Sequence, residues 1–109
     1  MKEISNEFID STCNNLVSLN GYLCKRPNLR TTPSGKQIAD LLLACNYGKD
    51  KTAYLPIIAW GRDARKASRL NVGDYIQMEG RFQCRSYTKI IDDIPYSKIA
   101  YEVSLTKLK

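Results

Sequence analysis

The segment 74–87 alternates between apolar and polar side chains, and Gly80 stands in its middle. Successive side chains of a strand point to opposite faces, so the alternation predicts one long strand with two unlike faces. The inward face would carry Ile76, Met78, Phe82 and Cys84. The outward face would carry Arg81, Gln83, Arg85 and Tyr87. A glycine inside a strand often marks a bulge or a sharp bend, which is typical of the curved strands of a small barrel.

The outward face of this strand combines two guanidinium groups with an aromatic ring. Such a surface can hold a phosphate backbone and stack a base. The whole chain is basic, with 17 Lys and Arg residues against 11 Asp and Glu residues and a net charge of +6. A basic balance favours an acidic partner, of which nucleic acid is the commonest. A solvated basic surface without a partner is the alternative interpretation.

Four further strands and one helix follow from patterns of the same kind. The strands would span residues 16–25, 37–46, 53–60 and 98–108. The helix would span residues 62–70, and residues 29–32 form a short extended piece before a turn. We expect residues 88–97 to be a loop. One domain, residues 14–109, would follow an N-terminal extension of residues 1–13.

This order of elements predicts an all-β fold, a five-stranded OB-fold Greek-key barrel with one short helix between strands 3 and 4. Gly21 interrupts strand 1 as Gly80 interrupts strand 4. The inward side chains of strand 5 would be Ile99, Tyr101, Val103 and Leu105. An SH3-like barrel or an unrelated sandwich would lack a helix at this place. OB-folds bind oligonucleotides or oligosaccharides on a strand face, which agrees with the basic, aromatic strand.

The cysteines give no sign of a metal site. None of the four lies in a C-x-x-C pair, and the chain has no histidine, so we expect neither a metal nor another cofactor. Cys24, Cys45 and Cys84 lie in apolar strand patterns, where we expect buried, reduced thiols. The N-terminus lacks the apolar core of a signal peptide, and no apolar run is long enough to span a bilayer. These features predict a cytoplasmic protein without a membrane partner.

The chain also lacks the motifs of an enzyme. We find no nucleophile motif, no phosphate-binding loop and no cluster of metal ligands, so we expect no catalysis. A metal-dependent nuclease using Asp92 and Asp93 is the alternative. We disfavour it because adjacent strand residues point to opposite faces.

Several short motifs occur together, in order and at characteristic spacings. They are Asn20-Gly21, Leu29-Arg30, Pro33-Ser34-Gly35, Ala59-Trp60-Gly61-Arg62, Val72-Gly73-Asp74 and Glu79-Gly80-Arg81. Over about residues 15–108 the chain resembles the bacterial single-stranded DNA-binding (SSB) protein family. The resemblance implies an OB-fold that binds single-stranded DNA with little sequence preference in replication, recombination or repair. It also implies a dimer or tetramer paired through strand 1, in the nucleoid of a bacterium or on a phage or mobile element.

The family stacks bases on aromatic side chains and holds phosphates with Lys and Arg. Carried over position by position, the resemblance assigns stacking to Tyr47, Tyr54, Trp60 and Tyr87. It assigns phosphate contacts to Arg30, Lys36, Arg62, Arg81 and Arg85.

The chain stops at Lys109 without the acidic tail of longer family members, and in this it is similar to their short primosomal relative, PriB. One alternative is therefore a PriB-like accessory protein that bridges DNA and a restart helicase, with replication or restart proteins as partners. An RNA-binding OB domain is another. The segment Asp92-Asp93-Ile94-Pro95-Tyr96 resembles such a tail in composition, but we expect an ordinary polar turn there.

Overall fold

Six strands and one short helix form the part of the chain that the structure, a computed structural model, describes: residues 14–109. In chain order the elements are β1 (Val17–Leu23), β2 (Asn28–Thr31), β3 (Gln37–Gly48), β4 (Lys51–Trp60), α1 (Arg62–Ala67), β5 (Tyr75–Ile91) and β6 (Ile94–Leu108). The five longer strands are the five predicted ones, and β2 is the short extended piece. The predicted barrel and the place of its helix are confirmed. The predicted N-terminal extension lies outside the described residues.

The sheet closes on itself through β1. Its strand order is β1-β5-β6-β4-β3-β2, and β1 pairs with β3 as well. Neighbouring strands are antiparallel except β4 and β6, which are parallel at Ile57 opposite Val103 and Ile58 opposite Ser104. Because β1 pairs with β5 over residues 17–22 and with β3 at Tyr22 and Leu23, it closes the five longer strands into a barrel, and β2 pairs with β3 alone.

The barrel core consists of the alternate side chains that point inward from every long strand. Its largest fully buried members are Leu23, Leu43 and Met78. Helix α1 adds Ala64 and Ala67 to the same cluster. The helix is shorter than predicted, because after Ala67 the chain tightens into a turn in which the Leu70 N–H donates to the Ala67 carbonyl.

At Gly80 the backbones of β5 and β6 approach each other closely. A Cβ atom built there would lie 2.5 Å from the Ser104 carbonyl oxygen and 2.8 Å from Cγ1 of Val103. At the same place the register shifts: Glu79 lies opposite Lys107, but Gly80 lies opposite Leu105. This is a β-bulge in β6, and a bulge of this kind bends the strand pair. The predicted bend at Gly80 is therefore present, and the close approach of two backbones explains the glycine.

The predicted burial of the inward side chains of β5 is correct before Gly80 and wrong after it. Ile76 and Met78 are buried, but Phe82 is 52% exposed and Cys84 is exposed as well. On β6, Val103 and Leu105 are buried as predicted, whereas Ile99 and Tyr101 are more than half exposed. The reason is that β4 pairs with β6 only at residues 103 and 104. Beyond that point, within residues 14–109, β5 and β6 pair only with each other, and no other strand covers the face that continues from the core.

The predicted loop at residues 88–97 is also wrong. These residues form the end of a long β-hairpin in which Ile91 lies opposite Ile94. The two turn residues, Asp92 and Asp93, have φ angles of 51° and 63°. Positive φ at both central residues is what a two-residue type I′ hairpin turn requires, and Asp accepts it more readily than most residues. We call residues 82–101, which extend beyond the barrel, the hairpin arm.

The three described cysteines are free thiols in different environments. Cys45 is buried in the core as predicted, and burial raises the pKa of its thiol. Cys24 is half-buried and donates its S–H to the Leu42 carbonyl at 3.2 Å. The predicted burial of Cys84 is wrong, since it lies on the hairpin arm. Within residues 14–109 no three cysteine or acidic side chains are grouped to hold a metal ion, and no helix is long and apolar enough to cross a membrane.

Replacing Gly80 with alanine should destabilise the barrel, because the new methyl group would meet the backbone of β6. Overpacking of this kind costs about 1–3 kcal/mol of the free energy of unfolding. Urea titration followed by fluorescence would measure it. Gly48→Ala is the matched control: its Cβ would meet only the flexible Lys51 side chain, at 3.4 Å. Equal stability of the two variants would contradict the role we give to Gly80.

Candidate nucleic-acid interface

One row of side chains crosses four strands on the outside of the barrel. Asp40 of β3 lies opposite Ile58 of β4, Ile58 opposite Ser104 of β6, and Ser104 opposite Arg81 of β5. Strand partners that lie opposite each other point to the same face. The residues next to them in the chain, such as Ile57, point into the core. We call the surface built around this row the outer face; its members include Arg30, Ile38, Asp40, Tyr54, Ile58, Trp60, Arg81, Arg85, Glu102 and Ser104.

The centre of the outer face is packed. Ile38 and Ile58 are buried although neither belongs to the core cluster, and Glu102 and Ser104 beside them are buried too. The outer face therefore has a solid floor of two isoleucines and two polar side chains. A floor of this kind fixes the positions of the longer side chains that surround it.

Three of the predicted stacking residues lie on β3 and β4. Trp60, opposite Ile38 at the end of β4, is 40% exposed, and Tyr54, opposite Ala44, is 63% exposed. Both lie on the outer face, as their spacing along β4 predicted. Tyr47 is exposed at the register shift between residues 46 and 48, so it lies at the rim and has no residue opposite it on β4.

An open cavity of about 710 Å³ lies beside Trp60. Lys36, Gln37 and Arg65 are among the residues that line it. Arg65 of α1 donates to Oε1 of Gln37 at 2.7 Å, which holds its guanidinium over the cavity. Lys36 is one of the predicted phosphate partners, whereas Arg65 was left out of the predicted site as part of a solvated helix face. The only sequence signal was its place in the helix next to the predicted Arg62, which the structure shows exposed at the first position of α1.

Two of the predicted phosphate partners are held in ion pairs. Nε of Arg30 lies 2.7 Å from Oδ2 of Asp40, and Nε of Arg85 lies 2.7 Å from Oε1 of Glu102. The hydrogen bond to Asp40 is the main reason that the pKa of Arg30 is raised; partial burial opposes it, and the charges of Asp40 and Glu102 add to it. In both pairs the guanidinium group is thus oriented by a carboxylate before any ligand arrives.

The outer face continues along the hairpin arm. Beyond Arg85, Tyr87 lies opposite Lys98, and Lys89 lies opposite Tyr96. All four side chains are exposed. Of these four only Tyr87 was predicted as a site residue. Lys89 and Tyr96 lie in residues 88–97, which were predicted to be a loop, and Lys98 was placed at the start of the last strand without a partner on β5. Continuing the alternation of β5 through to the turn would have found them.

The opposite face of the arm has a different character. Its residues, including Phe82, Cys84, Ser86, Ile99 and Tyr101, carry no charge. The rings of Phe82 and Tyr101 stack with their centroids 6.2 Å apart. Cations are therefore confined to one side of the arm, the side that continues the outer face.

All nine predicted site residues are exposed. The structure brings six of them onto the outer face and its extension: Arg30, Tyr54, Trp60, Arg81, Arg85 and Tyr87. Lys36, Tyr47 and Arg62 lie at its rims, in the β2–β3 turn, at the end of β3 and at the start of α1. The role of each residue remains a prediction.

A closed OB barrel with a packed outer face of cations and aromatic rings defines a class of small oligonucleotide-binding domains. The model of the Single-strand binding protein family matches residues 14–107, and this chain belongs to that family.

Relatives agree with this assignment. Over 80 residues the chain is 34% identical to Single-stranded DNA-binding protein 2 of Listeria innocua, covering 67% of this chain and 50% of that protein. It is 35% identical over 80 residues to Single-stranded DNA-binding protein A of Bacillus subtilis, covering 67% of this chain and 46% of that protein. The chain thus spans about half the length of these relatives.

Solved structures share the fold. The single-stranded DNA-binding protein of Thermus aquaticus matches with a TM-score of 0.69 at 30% identity, covering 87% of this chain and 39% of that one. The SSB domain of a Synechococcus protein matches with a TM-score of 0.69 at 20% identity, covering 89% of this chain and 96% of that one. This second likeness concerns the fold alone, and both confirm the predicted OB-fold.

Proposed function

We propose that this domain binds single-stranded DNA along its outer face, with little sequence preference and without catalysing a reaction. The observation that carries the proposal is the packed surface on which exposed aromatic rings lie between cations. In a barrel of the single-strand binding protein family, this surface has the chemistry that a flexible, anionic strand with stackable bases requires. By holding strands in this way the domain would serve replication, recombination or repair.

Bases and phosphates would contact different side chains of the outer face. Trp60 and Tyr54 offer π-faces beside the isoleucine floor, and each stacked base contributes about 1–3 kcal/mol. Arg81, Lys36 and Arg62 form no ion pair within residues 14–109, so they are available to phosphates. Stacking accepts every base, and phosphate contacts carry no sequence information, so the domain would discriminate weakly among sequences.

We propose further that copies of this chain assemble through β1. Residues 17–22 pair with β5 on one side, but pairing with β3 is limited to Tyr22 and Leu23. Within the described part of the chain, the second edge of residues 17–21 therefore has no strand partner, and an open edge invites pairing with another chain. The rings of Tyr22 and Tyr75 lie 5.2 Å apart on the outside of the same strand pair, and both are about half exposed.

Removing one stacking ring should weaken binding. Tyr54→Ala should cost about 1–3 kcal/mol, which is a fivefold to 150-fold rise in Kd for a dT oligomer. Quenching of the single tryptophan, Trp60, would follow the titration. Tyr101→Ala, which removes an exposed tyrosine from the uncharged face of the arm, is the control. Absence of quenching in the parent protein would sink the proposal, and tighter binding of poly-U than of poly-dT would favour RNA as the ligand.

Removing the two lysines of the arm should flatten the salt dependence. The variant with Lys89→Ala and Lys98→Ala loses two phosphate contacts, so the slope of log K against log salt should fall by about 1.4 for a single strand. The effect should appear with long oligomers and vanish with those too short to reach the arm. Lys66→Ala with Arg69→Ala removes the same charge at the end of α1 and just after it, and should change the slope less. Equal changes in the two double variants would contradict a DNA path along the arm.

Light scattering tests the assembly. The parent should have twice or four times the 12.4 kDa mass of one chain. Tyr22→Lys would place like charges at a two-fold contact and should lower the mass, while Tyr101→Lys on the arm should leave it unchanged. A parent that is monomeric at tens of micromolar would refute the β1 contact.

A further inference from the structure

Two carboxylates occupy positions on the outer face that a purely phosphate-binding surface would leave to neutral or basic residues. Asp40 is in the row that crosses the sheet, directly opposite Ile58. Glu102 is two residues from Ser104 on β6, so it faces the same way, and it lies opposite Gln83. Both acids therefore belong to the central strands of the proposed DNA surface, and neither lies at its rim.

Glu102 is held there firmly. Its carboxylate is almost fully buried, and its Oε1 accepts one hydrogen bond from Arg85 Nε at 2.7 Å and another from Gln83 Nε2 at 3.2 Å. Within residues 14–109 its second oxygen, Oε2, accepts no hydrogen bond, and 8% of the Glu102 side chain remains exposed. The floor of the outer face thus holds a fixed carboxylate.

Asp40 supplies a second anionic group. Its carboxylate is bound through both oxygens to the guanidinium of Arg30, by Nε at 2.7 Å and by a terminal nitrogen at 3.4 Å. It remains about 40% exposed. Arg30 also lies within reach of the charge of Glu102. Two acids, the two arginines paired with them and Arg81, which lies opposite Ser104 and has no ion pair within residues 14–109, therefore share the centre of the surface. Lys36, Arg62 and the lysines of the arm lie around it.

This distribution of charge affects single strands and duplexes differently. A duplex turns its phosphates outward and keeps its bases stacked inside, so any approach to the outer face brings phosphates onto the two carboxylates. A single strand can turn its bases to the floor and leave its phosphates for the cations at the rim. Repulsion between like charges a few ångströms apart, partly shielded from water, is large enough to discriminate between the two.

We propose that Asp40 and Glu102 are specificity-determining residues that select single strands over duplexes by repelling phosphates from the centre of the outer face. This rests on the proposed function, since it assigns a selectivity to the same surface. The acids act by exclusion, a common source of specificity in addition to favourable contacts. If they served only to orient Arg30 and Arg85, neutralising them would change the affinity for both kinds of DNA alike.

The test compares one mixed-sequence oligonucleotide, as a single strand and as a duplex with its complement, on four proteins. They are the parent, Asp40→Asn, Glu102→Gln and the double variant. In the double variant, the affinity for the duplex should rise about tenfold and the affinity for the single strand about twofold, so the preference for single strands should fall about fivefold. Glu79→Gln is the matched control, because that carboxylate lies opposite Ser18 on the β1 side and pairs weakly with Lys109, at 3.9 Å.

A preference within twofold of the parent's in the double variant would overturn the inference and leave the proposed function intact. If loss of the buried Glu102 charge impairs folding of the double variant, Asp40→Asn alone still decides the test. Asp40 is half-exposed, and its replacement should lower the preference for single strands over duplexes about twofold. Failure of the parent to bind the single strand would instead refute the proposed function, and the inference with it.

Discussion

The shape of this barrel depends on two places where the backbones of neighbouring strands lie too close together to admit a side chain between them. Gly21 lies against the Ala44 carbonyl where β1 reaches β3, and Gly80 lies against the Ser104 carbonyl where β5 bends over β6. The contact at Gly21 lets β1 pair with β5 on one side and with β3 on the other, which closes the barrel. The second turns the far half of β5, so that Arg81 enters the row that begins at Asp40. The outer face exists as one surface because both contacts are made.

The charges of that surface are organised before any ligand arrives. A bare arginine on a strand loses considerable side-chain freedom when it binds a phosphate, whereas Arg85 is already fixed by Glu102 and keeps its terminal nitrogens for other contacts. The same pairing reduces the positive charge at the centre of the face. Of the cations on and around this surface, Arg81 in the central row and Lys36, Arg62, Lys89 and Lys98 further out have no acidic partner within residues 14–109. The surface thus combines a centre in which two of three arginines are paired with acids and a rim of unpaired cations, an arrangement that suits bases inside and phosphates outside.

Much of this could be predicted from sequence, because alternation reports which side of a strand a residue faces. It placed Trp60 and Tyr54 together, and glycines marked the bends. Alternation does not report whether another layer covers that side. For this reason the predicted burial of Phe82 and Tyr101 was wrong. The covering strand, β4, leaves β6 after two paired residues, a long-range fact that no local pattern contains. The pairing of Arg85 with Glu102 was missed for the same reason, since it depends on the register between two strands.

The hairpin arm follows from the same geometry and, in the function proposed above, would limit where a strand of DNA can run. Beyond the two residues at which β4 pairs with β6, the two faces of the β5–β6 hairpin carry different kinds of side chain. One face carries Arg85 and the pairs Tyr87–Lys98 and Lys89–Tyr96, and the other is uncharged around the stacked rings of Phe82 and Tyr101. Phosphates gain nothing from the uncharged face, so a strand leaving the barrel would follow the lysines along one side only. The arm therefore gives the path a direction that a symmetrical, uniformly basic hairpin would not provide.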